Sequence, residues 1–285
     1  MPSEPCEVPF EELQRSARAF IEIFHVSVVG ITSQDEKVYV GGGTLVTING
    51  VPGVLTADHV WQAVLDGRYI QVAFGGTGTF VAPGIPVSDV RVVHRVSPVV
   101  PDDGFGPDLA FIWIPEPYMF GLCDEGKRVF NLSGSREPAM TARRTAKGDP
   151  RVIFGVPEET VSTYEDEDHM GPVTRMAIGT PAYFSRIIDT HEVGGWGYVD
   201  FSLEGGAENA SESMHGMSGF GLWRVGDAGP SRVLASQDTT FLDGIVQRWT
   251  ERPPFIRCHD RSSLYKFVDE VVPKLASYPE FSGYA

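Results

Sequence analysis

Residues 41–60 read GGGTLVTINGVPGVLTADHV, and this stretch decides the expected fold. Two runs rich in β-branched and apolar residues flank Asn49 and Gly50, a pair typical of tight turns. The pattern predicts two β-strands joined by a short polar connection, with His59 at the end of the second strand. A histidine there is more often a structural hydrogen-bonding residue than a catalytic one, so its role depends on motifs elsewhere.

Short strand-like runs separated by turn-forming residues continue along most of the chain, which predicts an all-β sandwich or barrel, or two in series. The predicted strands are residues 25–31, 37–48, 53–56, 69–74, 90–93, 109–114, 151–156, 175–185, 197–201, 221–225 and 241–246. Helical periodicity is recognisable only at the two ends. It predicts an amphipathic helix over residues 10–24 and a second over residues 262–275, with Ser262 as its N-cap.

The composition sets limits on partners. With 285 residues, 42% of them hydrophobic, the chain is large enough for a substantial core. A net charge of -15 argues against binding to nucleic acid or to an anionic membrane surface, because both carry the same sign of charge. The first residues are acidic, and no apolar run approaches the roughly 18 residues of a membrane span, so no membrane partner is expected.

The cysteines indicate a reducing environment. Cys6, Cys123 and Cys258 are odd in number, widely separated and free of metal-binding spacing. They predict neither a disulfide framework nor a zinc site. Together with the missing export signal, this makes a cytoplasmic location the expectation.

Two further motifs carry candidate catalytic side chains. Asp108 immediately precedes the apolar run LAFIWI, which places an acid at the start of a buried strand; alone, this is commonly a turn residue. Ser218 lies in HGMSGFGLW, residues 215–223, flanked by glycines. Glycine permits backbone conformations closed to other residues and lets amide groups approach a substrate carbonyl. Alone, the glycine-flanked serine is explained equally by a plain turn.

The three motifs together are more informative. With their order and separations of 49 and 110 residues, His59, Asp108 and Ser218 resemble the chymotrypsin-like serine peptidases along most of the chain, specifically the divergent intracellular bacterial type. An α/β-hydrolase would need a second glycine where Phe220 stands, and an acid and a histidine downstream.

The resemblance implies an all-β fold of two consecutive six-stranded β-barrels of chymotrypsin type, with N-terminal and C-terminal helices. The implied segments are an N-terminal helical extension 1–24, a first barrel 25–136 with His59 and Asp108, a linker 137–150, a second barrel 151–258 with Ser218, and a C-terminal helix 259–285. The N-terminal helix is expected to pack as a lid on the first barrel, or else to serve as a docking element.

The resemblance also implies the chemistry. Ser218 would attack the scissile carbonyl, His59 would transfer the proton, and Asp108 would orient the imidazole. The backbone N–H groups of Gly216 and Ser218 would form the oxyanion hole. The expected partner is a protein or peptide substrate, and neither a metal nor an organic cofactor is implied.

Specificity is expected to depend on five residues around the primary pocket: Glu212, His215, Gln247, Arg248 and Trp249. An acid at position 212 would favour substrates with Arg or Lys at the cleavage site. Because Arg248 could neutralise Glu212 and both Arg248 and Trp249 are large, a small or hydrophobic pocket and a surface role for Glu212 stay open. His215 would contact substrate at the pocket rim or lie in solvent.

Two regions are expected to be loops. In one respect the chain departs from the pattern of the family. The acidic stretch 158–168 is expected to be a solvated loop, with calcium binding as the alternative. His259 is expected to lie in a loop without catalytic meaning. Met217 stands where the digestive members of the family have an aspartate that pairs with a newly cleaved N-terminus, so that mode of activation is not expected.

The functional expectation is therefore a serine endopeptidase, regulated by a partner protein and acting in bacterial stress or phage defence. The alternatives are a catalytically silent module of the same fold that binds a partner protein, and a β-rich scaffold without an active site.

Overall fold

The computed structural model describes eleven stretches of the chain. They are residues 10–66, 69–75, 78–80, 84–97, 106–141, 150–168, 171–178, 182–202, 214–225, 240–251 and 254–284. The helices are α1 (Phe10–Glu22), α2 (Asp58–Leu65), α3 (Glu116–Asp124), α4 (Arg136–Thr141) and α5 (Arg261–Ala276), with short 3-10 turns at Val87–Asp89, Glu158–Thr160 and Pro279–Tyr284.

The strands of the described residues are β1 (His25–Ile31), β2 (Lys37–Ile48), β3 (Val51–Thr56), β4 (Gln71–Gly75), β5 (Gly78–Phe80), β6 (Ile85–Pro86), β7 (Arg91–Val96), β8 (Leu109–Trp113), β9 (Phe130–Asn131), β10 (Pro150–Phe154), β11 (Val161–Asp168), β12 (Gly171–Ile178), β13 (Ala182–Val193), β14 (Trp196–Ser202), β15 (Gly221–Val225), β16 (Thr240–Glu251) and β17 (Pro254–His259).

The first half of the chain forms one curled sheet in the order β6-β4-β1-β2-β3-β8-β7, and β9 pairs with β2. The predicted turn at its centre is confirmed: β2 ends at Ile48, β3 begins at Val51, and the two residues between them have positive φ values of 47° and 80°. Asn and Gly favour this left-handed conformation, which matches the twist of the flanking strands. The hairpin therefore follows from local sequence.

The second half closes into a barrel of β10-β13-β14-β17-β16-β15, and β11, β12 and β5 form a separate three-stranded sheet. Two curled antiparallel units in series, with helices at both ends, make a chymotrypsin-like double barrel, so the predicted fold class is confirmed. The six strands expected per barrel are present in the second unit. Within the described residues the first sheet has eight, because the two-residue strands β6 and β9 add to it.

Several local predictions were wrong. The acidic stretch 161–168 is strand β11, paired along its whole length with β12, because backbone pairing to a neighbouring strand overrides an acidic composition. Three short helices, α2 to α4, lie where no helical periodicity was recognised. The side chain that caps α5 belongs to Asp260, which accepts a hydrogen bond from the Ser263 amide, and not to Ser262. Helix α4 begins at Arg136, one residue before the predicted linker, and extends into it as far as Thr141.

The two units are packed together by an aromatic cluster. Phe24, which follows α1, stacks on Trp223 of β15 with ring centroids 5.6 Å apart and contacts Phe130 of β9 at the same distance. Phe130 meets Trp223 edge to face at 5.2 Å. Ala17 and Ile21 of α1 are fully buried in the same core as these rings. Helix α1 therefore packs across both units, and not on the first barrel alone.

A buried ionic cluster ties the second barrel to α5. The Asp243 carboxylate on β16 accepts Arg151 Nε of β10 at 2.9 Å and Arg261 Nε of α5 at 3.0 Å, and Arg224 Nε of β15 lies 3.7 Å away. The Asp243 side chain is only 6% exposed. One buried carboxylate thus contacts guanidinium groups from two strands and a helix.

We expect Asp243→Asn to lower the free energy of unfolding by about 3–5 kcal/mol, because it leaves buried guanidinium charges without their shared counterion. Urea unfolding followed by tryptophan fluorescence measures the change. The matched control is Asp269→Asn on α5, which removes the carboxylate that pairs with Arg136 at the surface. It should lower the free energy of unfolding by less than about 1 kcal/mol. Equal effects of the two substitutions would contradict the assigned role of Asp243.

Candidate active site

His59 lies at the start of a helix and not at a strand end. Strand β3 ends at Thr56, and α2 begins at Asp58, so His59 is the second residue of the helix. The buried residues Val60, Trp61 and Val64 fix the helix against the first sheet. This anchoring presents the imidazole toward solvent, and 52% of the His59 side-chain surface is exposed.

The structure brings His59 and Asp108 together in two hydrogen bonds. His59 Nδ1 lies 2.7 Å from Asp108 Oδ2, and the His59 amide donates to Asp108 Oδ1 at 3.0 Å. Because a carboxylate only accepts, the Nδ1 atom carries the proton, and Nε2 is left as the basic nitrogen. Asp108 is buried and lies directly before β8.

The pair also shifts both pKa values. Partial burial opposes protonation of His59, but the hydrogen bond and the charge of Asp108 outweigh it and raise the pKa of His59 above its ordinary value. Burial likewise opposes ionisation of Asp108, yet the hydrogen bonds and charge of His59 lower the pKa of Asp108. Each group therefore favours the charged form of the other.

The segment that carries Asp108 is held by three side chains of the second barrel. The Gly106 amide donates to Tyr198 Oη of β14 at 2.8 Å, and Gln247 Nε2 of β16 donates to the Gly106 carbonyl at 3.2 Å. The Asp108 amide donates to His259 Nε2 of β17 at 3.2 Å. An acid of the first unit is thus positioned by three strands of the second.

The expectation that His259 lies in a loop without a role was wrong. It is the last residue of β17, fully buried, and its ring lies 5.1 Å from that of Tyr198. Burial lowers the pKa of His259 to about 4, although the charges of Asp108 and Asp260 act in the opposite direction. The imidazole is therefore neutral near pH 7, as its acceptor role requires.

Ser218 lies in a loop that bridges the two units. The Gly42 amide of β2 donates to the Ser218 carbonyl at 2.9 Å, and the Gly219 amide donates to the Val246 carbonyl of β16 at 2.8 Å. Gly219 has φ +89°, and a Cβ atom there would come within 2.1 Å of the Gly42 carbonyl oxygen. Only glycine fits this position, which explains the flanking glycine of the motif.

The Ser218 hydroxyl does not contact His59 in this conformation. Its Oγ donates to the Gln247 carbonyl at 3.0 Å. The serine is nevertheless adjacent to the start of α2, because a Cβ atom on Gly41 would touch Val60 at 2.9 Å and the Ser218 carbonyl oxygen at 3.2 Å. Ser218 therefore lies near the helix that carries His59, with its hydroxyl turned onto β16.

The two predicted oxyanion donors are the backbone amides of Gly216 and Ser218. Within the described stretches no group accepts a hydrogen bond from the amides of Gly216 or Ser218. The His215 carbonyl accepts the Glu158 amide at 2.7 Å. Because a trans peptide points its carbonyl and its N–H in opposite directions, the Gly216 N–H points away from Glu158. Gly216 has φ +85°, a conformation suited to glycine.

A cavity of about 470 Å³ opens beside the histidine and the acid. It is lined by Asp58, His59, Gln62, Ser97, Asp108, Gln247, Arg248 and Trp249. Three of the five predicted specificity residues thus line it. His215 is exposed and is not among the lining residues, and Glu212 lies outside the described residues.

Asp58 is a lining residue that was not predicted from the sequence. It is 1% exposed, accepts hydrogen bonds from Ser97 Oγ and Gln62 Nε2, and has Arg95 Nε 3.8 Å from its second oxygen. A carboxylate in the first turn of α2 is favoured by the helix dipole. Its position next to His59 in the sequence is the one signal that could have revealed it.

The described part of the chain was compared with what a metal site or a membrane-spanning helix requires. Within the stretches that the structure describes, no three side chains of His, Cys, Asp or Glu are grouped to hold a metal ion. No helix of these stretches combines the length and the apolar character needed to cross a membrane. Cys123 and Cys258 are free thiols.

Sequence comparison gives no relatives: no protein-family model and no curated protein matches this chain. Solved structures do match. The Rv3671c protease from M. tuberculosis in its active form is 13% identical, with a TM-score of 0.49, over 95% of this chain and 91% of that one. A chain in a structure on the coupled folding and binding of the intrinsically disordered Sesbania mosaic virus VPg protein is 17% identical, with a TM-score of 0.37, over 82% and 85%. The fold assignment therefore rests on the strand pairing of this chain itself.

We expect His259→Gln to flatten the acid dependence of stability. In the unfolded chain His259 has a pKa near 6.5, whereas in the folded protein its pKa is about 4. Between these two values the unfolded state binds more protons than the folded state, so the free energy of unfolding falls as the pH drops. The loss is about 1.4 kcal/mol per pH unit for one proton. Glutamine keeps an acceptor without titrating. Urea unfolding at several pH values in this window measures the slope, and an unchanged slope would contradict a buried neutral His259.

Proposed function

We propose that this chain is a serine endopeptidase that hydrolyses peptide bonds of a protein substrate through Ser218, His59 and Asp108. The observation that carries the proposal is the pair of hydrogen bonds from His59 to Asp108, formed beside a glycine-flanked serine. The shared carboxylate fixes the imidazole with Nε2 as its basic atom, which is the arrangement that activates a serine.

The chemistry follows from these positions. In the proposed mechanism the Ser218 side chain turns away from the Gln247 carbonyl, and His59 Nε2 takes the hydroxyl proton as Oγ attacks the scissile carbonyl. Asp108 stabilises the imidazolium. The amides of Gly216 and Ser218 bind the negative oxygen of the tetrahedral intermediate. His59 then gives the proton to the leaving amine, and water hydrolyses the acyl-enzyme by the same route.

The second candidate is a catalytically silent module that binds a partner protein in the same cleft. One observation favours it: the Ser218 hydroxyl is bonded to Gln247, and not to His59. Resting enzymes also show long or misaligned catalytic hydrogen bonds, so this geometry is compatible with both candidates.

We expect a fluorophosphonate probe to label the purified protein at one serine, and Ser218→Ala or His59→Ala to abolish the labelling. Loss of the nucleophile or the base should also lower kcat about 10⁶-fold on any peptide that the wild type cleaves. The matched control is Ser277→Ala, an exposed serine at the end of α5, which should label normally. A folded wild type that does not label would favour the binding module.

We expect kcat/KM to fall as the pH drops through the pKa of His59, because only the neutral imidazole can accept the serine proton. Asp108 raises this pKa, so the midpoint should lie above the ordinary histidine value of 6.5. Asp108→Asn should move the midpoint to lower pH and reduce kcat by about 10⁴-fold, the effect of this change in Ser-His-Asp triads. Asp66→Asn, at the exposed end of α2, is the control and should leave the midpoint in place. A wild-type midpoint well below 6.5 would contradict the assigned pair.

A further inference from the structure

A tyrosine of the first sheet contacts the loop that carries the proposed oxyanion donors. Tyr39 lies on β2, and its hydroxyl oxygen is 2.8 Å from the Gly216 carbonyl oxygen and 2.9 Å from the Val156 carbonyl oxygen, so the two carbonyls share its single proton. Its ring also packs on the loop, because a Cβ atom at Gly216 would lie 2.7 Å from the Tyr39 Cε1 atom. A single side chain thus connects β2, the loop and the segment that follows β10.

The contact constrains the orientation of both peptides that flank Gly216. The His215 carbonyl is held by the Glu158 amide, and the Gly216 carbonyl is held by Tyr39. Because both carbonyls accept hydrogen bonds, neither peptide can rotate without losing one. The Gly216 N–H belongs to the peptide held by the Glu158 amide and keeps a direction that leaves it without an acceptor in the described residues, while Tyr39 holds the following peptide, whose N–H is that of Met217.

The Tyr39 hydroxyl is suited to act as a lasting hydrogen-bond donor. Burial raises the pKa of Tyr39 well above its ordinary value, and the charge of Glu158 adds to this, so the hydroxyl keeps its proton. On the other side of the loop, Met217 is 1% exposed and packs in the second barrel's core with Phe220. The loop is thus pinned from one side by a polar contact and from the other by apolar burial.

We propose that Tyr39 is a positioning residue: by holding the Gly216 carbonyl it fixes the peptide that follows Gly216, and this limits the backbone rotation at Gly216 that would turn its N–H away from the oxyanion. This inference rests on the proposed peptidase function. It adds that the oxyanion loop is set by docking of the first sheet onto the second barrel, through a hydroxyl that touches neither the substrate nor the triad. The loop is therefore held by contacts between the first sheet and the second barrel.

The test is Tyr39→Phe, which removes the hydroxyl and keeps the ring. We expect kcat to fall about 10–100-fold, because an oxyanion donor is worth about 10²–10³ in rate and a misplaced one loses part of that. KM should stay within about twofold and the pH midpoint of kcat/KM should not move, since His59 and Asp108 are untouched. Amide hydrogen exchange of residues 214–220 should accelerate about tenfold on loss of this hydrogen bond.

The matched control is Tyr183→Phe. Tyr183 is a buried tyrosine of β13 in the same core as Met217, and its hydroxyl has no hydrogen-bond partner in the described part of the chain. It should leave kcat and the exchange of residues 214–220 at wild-type values. Urea unfolding of both variants shows whether either change acts through global stability.

Four results separate the possibilities. A wild-type kcat or unchanged exchange in Tyr39→Phe overturns the proposal, as does a fall in kcat accompanied by a shifted pH midpoint, because the effect would then pass through His59. An equal loss in Tyr183→Phe also overturns it. If the wild type cleaves no peptide and is not labelled by the fluorophosphonate probe, the proposed peptidase function is wrong. In that case, faster amide exchange of residues 214–220 in Tyr39→Phe would still show that Tyr39 holds the loop.

Discussion

The structure depends on the packing of two separately formed β-units against each other. The stacked rings of Phe24, Phe130 and Trp223 lie at this junction, each contributed by a different element, and both terminal helices share their core. Aromatic side chains bury large apolar areas and prefer the edge-to-face and offset contacts seen here. The candidate site takes residues from both units, so its geometry depends on how the two units pack at this junction.

Hydrogen bonds across the junction link the two units at the candidate site. The first unit supplies His59 and Asp108, but the main chain around Asp108 is held by side chains of the second barrel. The second barrel supplies Ser218, but its loop is held by the Gly42 amide and the Tyr39 hydroxyl of β2. Each unit thus contacts the segments that carry the candidate catalytic residues of the other. This reciprocal support accounts for the polar groups buried at a junction that is otherwise apolar, since a buried polar group is tolerated when it is hydrogen-bonded.

The electrostatics of the site are set by a few buried charges. The Asp108 carboxylate stabilises a protonated His59, while His259, only one hydrogen bond from the Asp108 amide, is kept neutral by burial. Two histidines near one carboxylate therefore have opposite protonation behaviour. The difference arises from exposure and from which atom of Asp108 each one contacts, the charged carboxylate or the neutral amide. The two histidines therefore titrate in different pH ranges.

The sequence by itself determined the features that depend on neighbouring residues. Asn49 and Gly50 specify the turn between β2 and β3, the alternating apolar runs specify most strands, and the glycine after Ser218 reflects a backbone conformation that only glycine adopts. The sequence also predicted the three candidate catalytic residues, through a resemblance in motif and order. It misassigned the acidic strand β11, the short helix that carries His59 and the role of His259. Only the tertiary structure placed His259 on Asp108 and Tyr39 on Gly216, pairs 151 and 177 residues apart. Such contacts are decided by barrel closure and by docking of the two units, and local propensity carries no information about either.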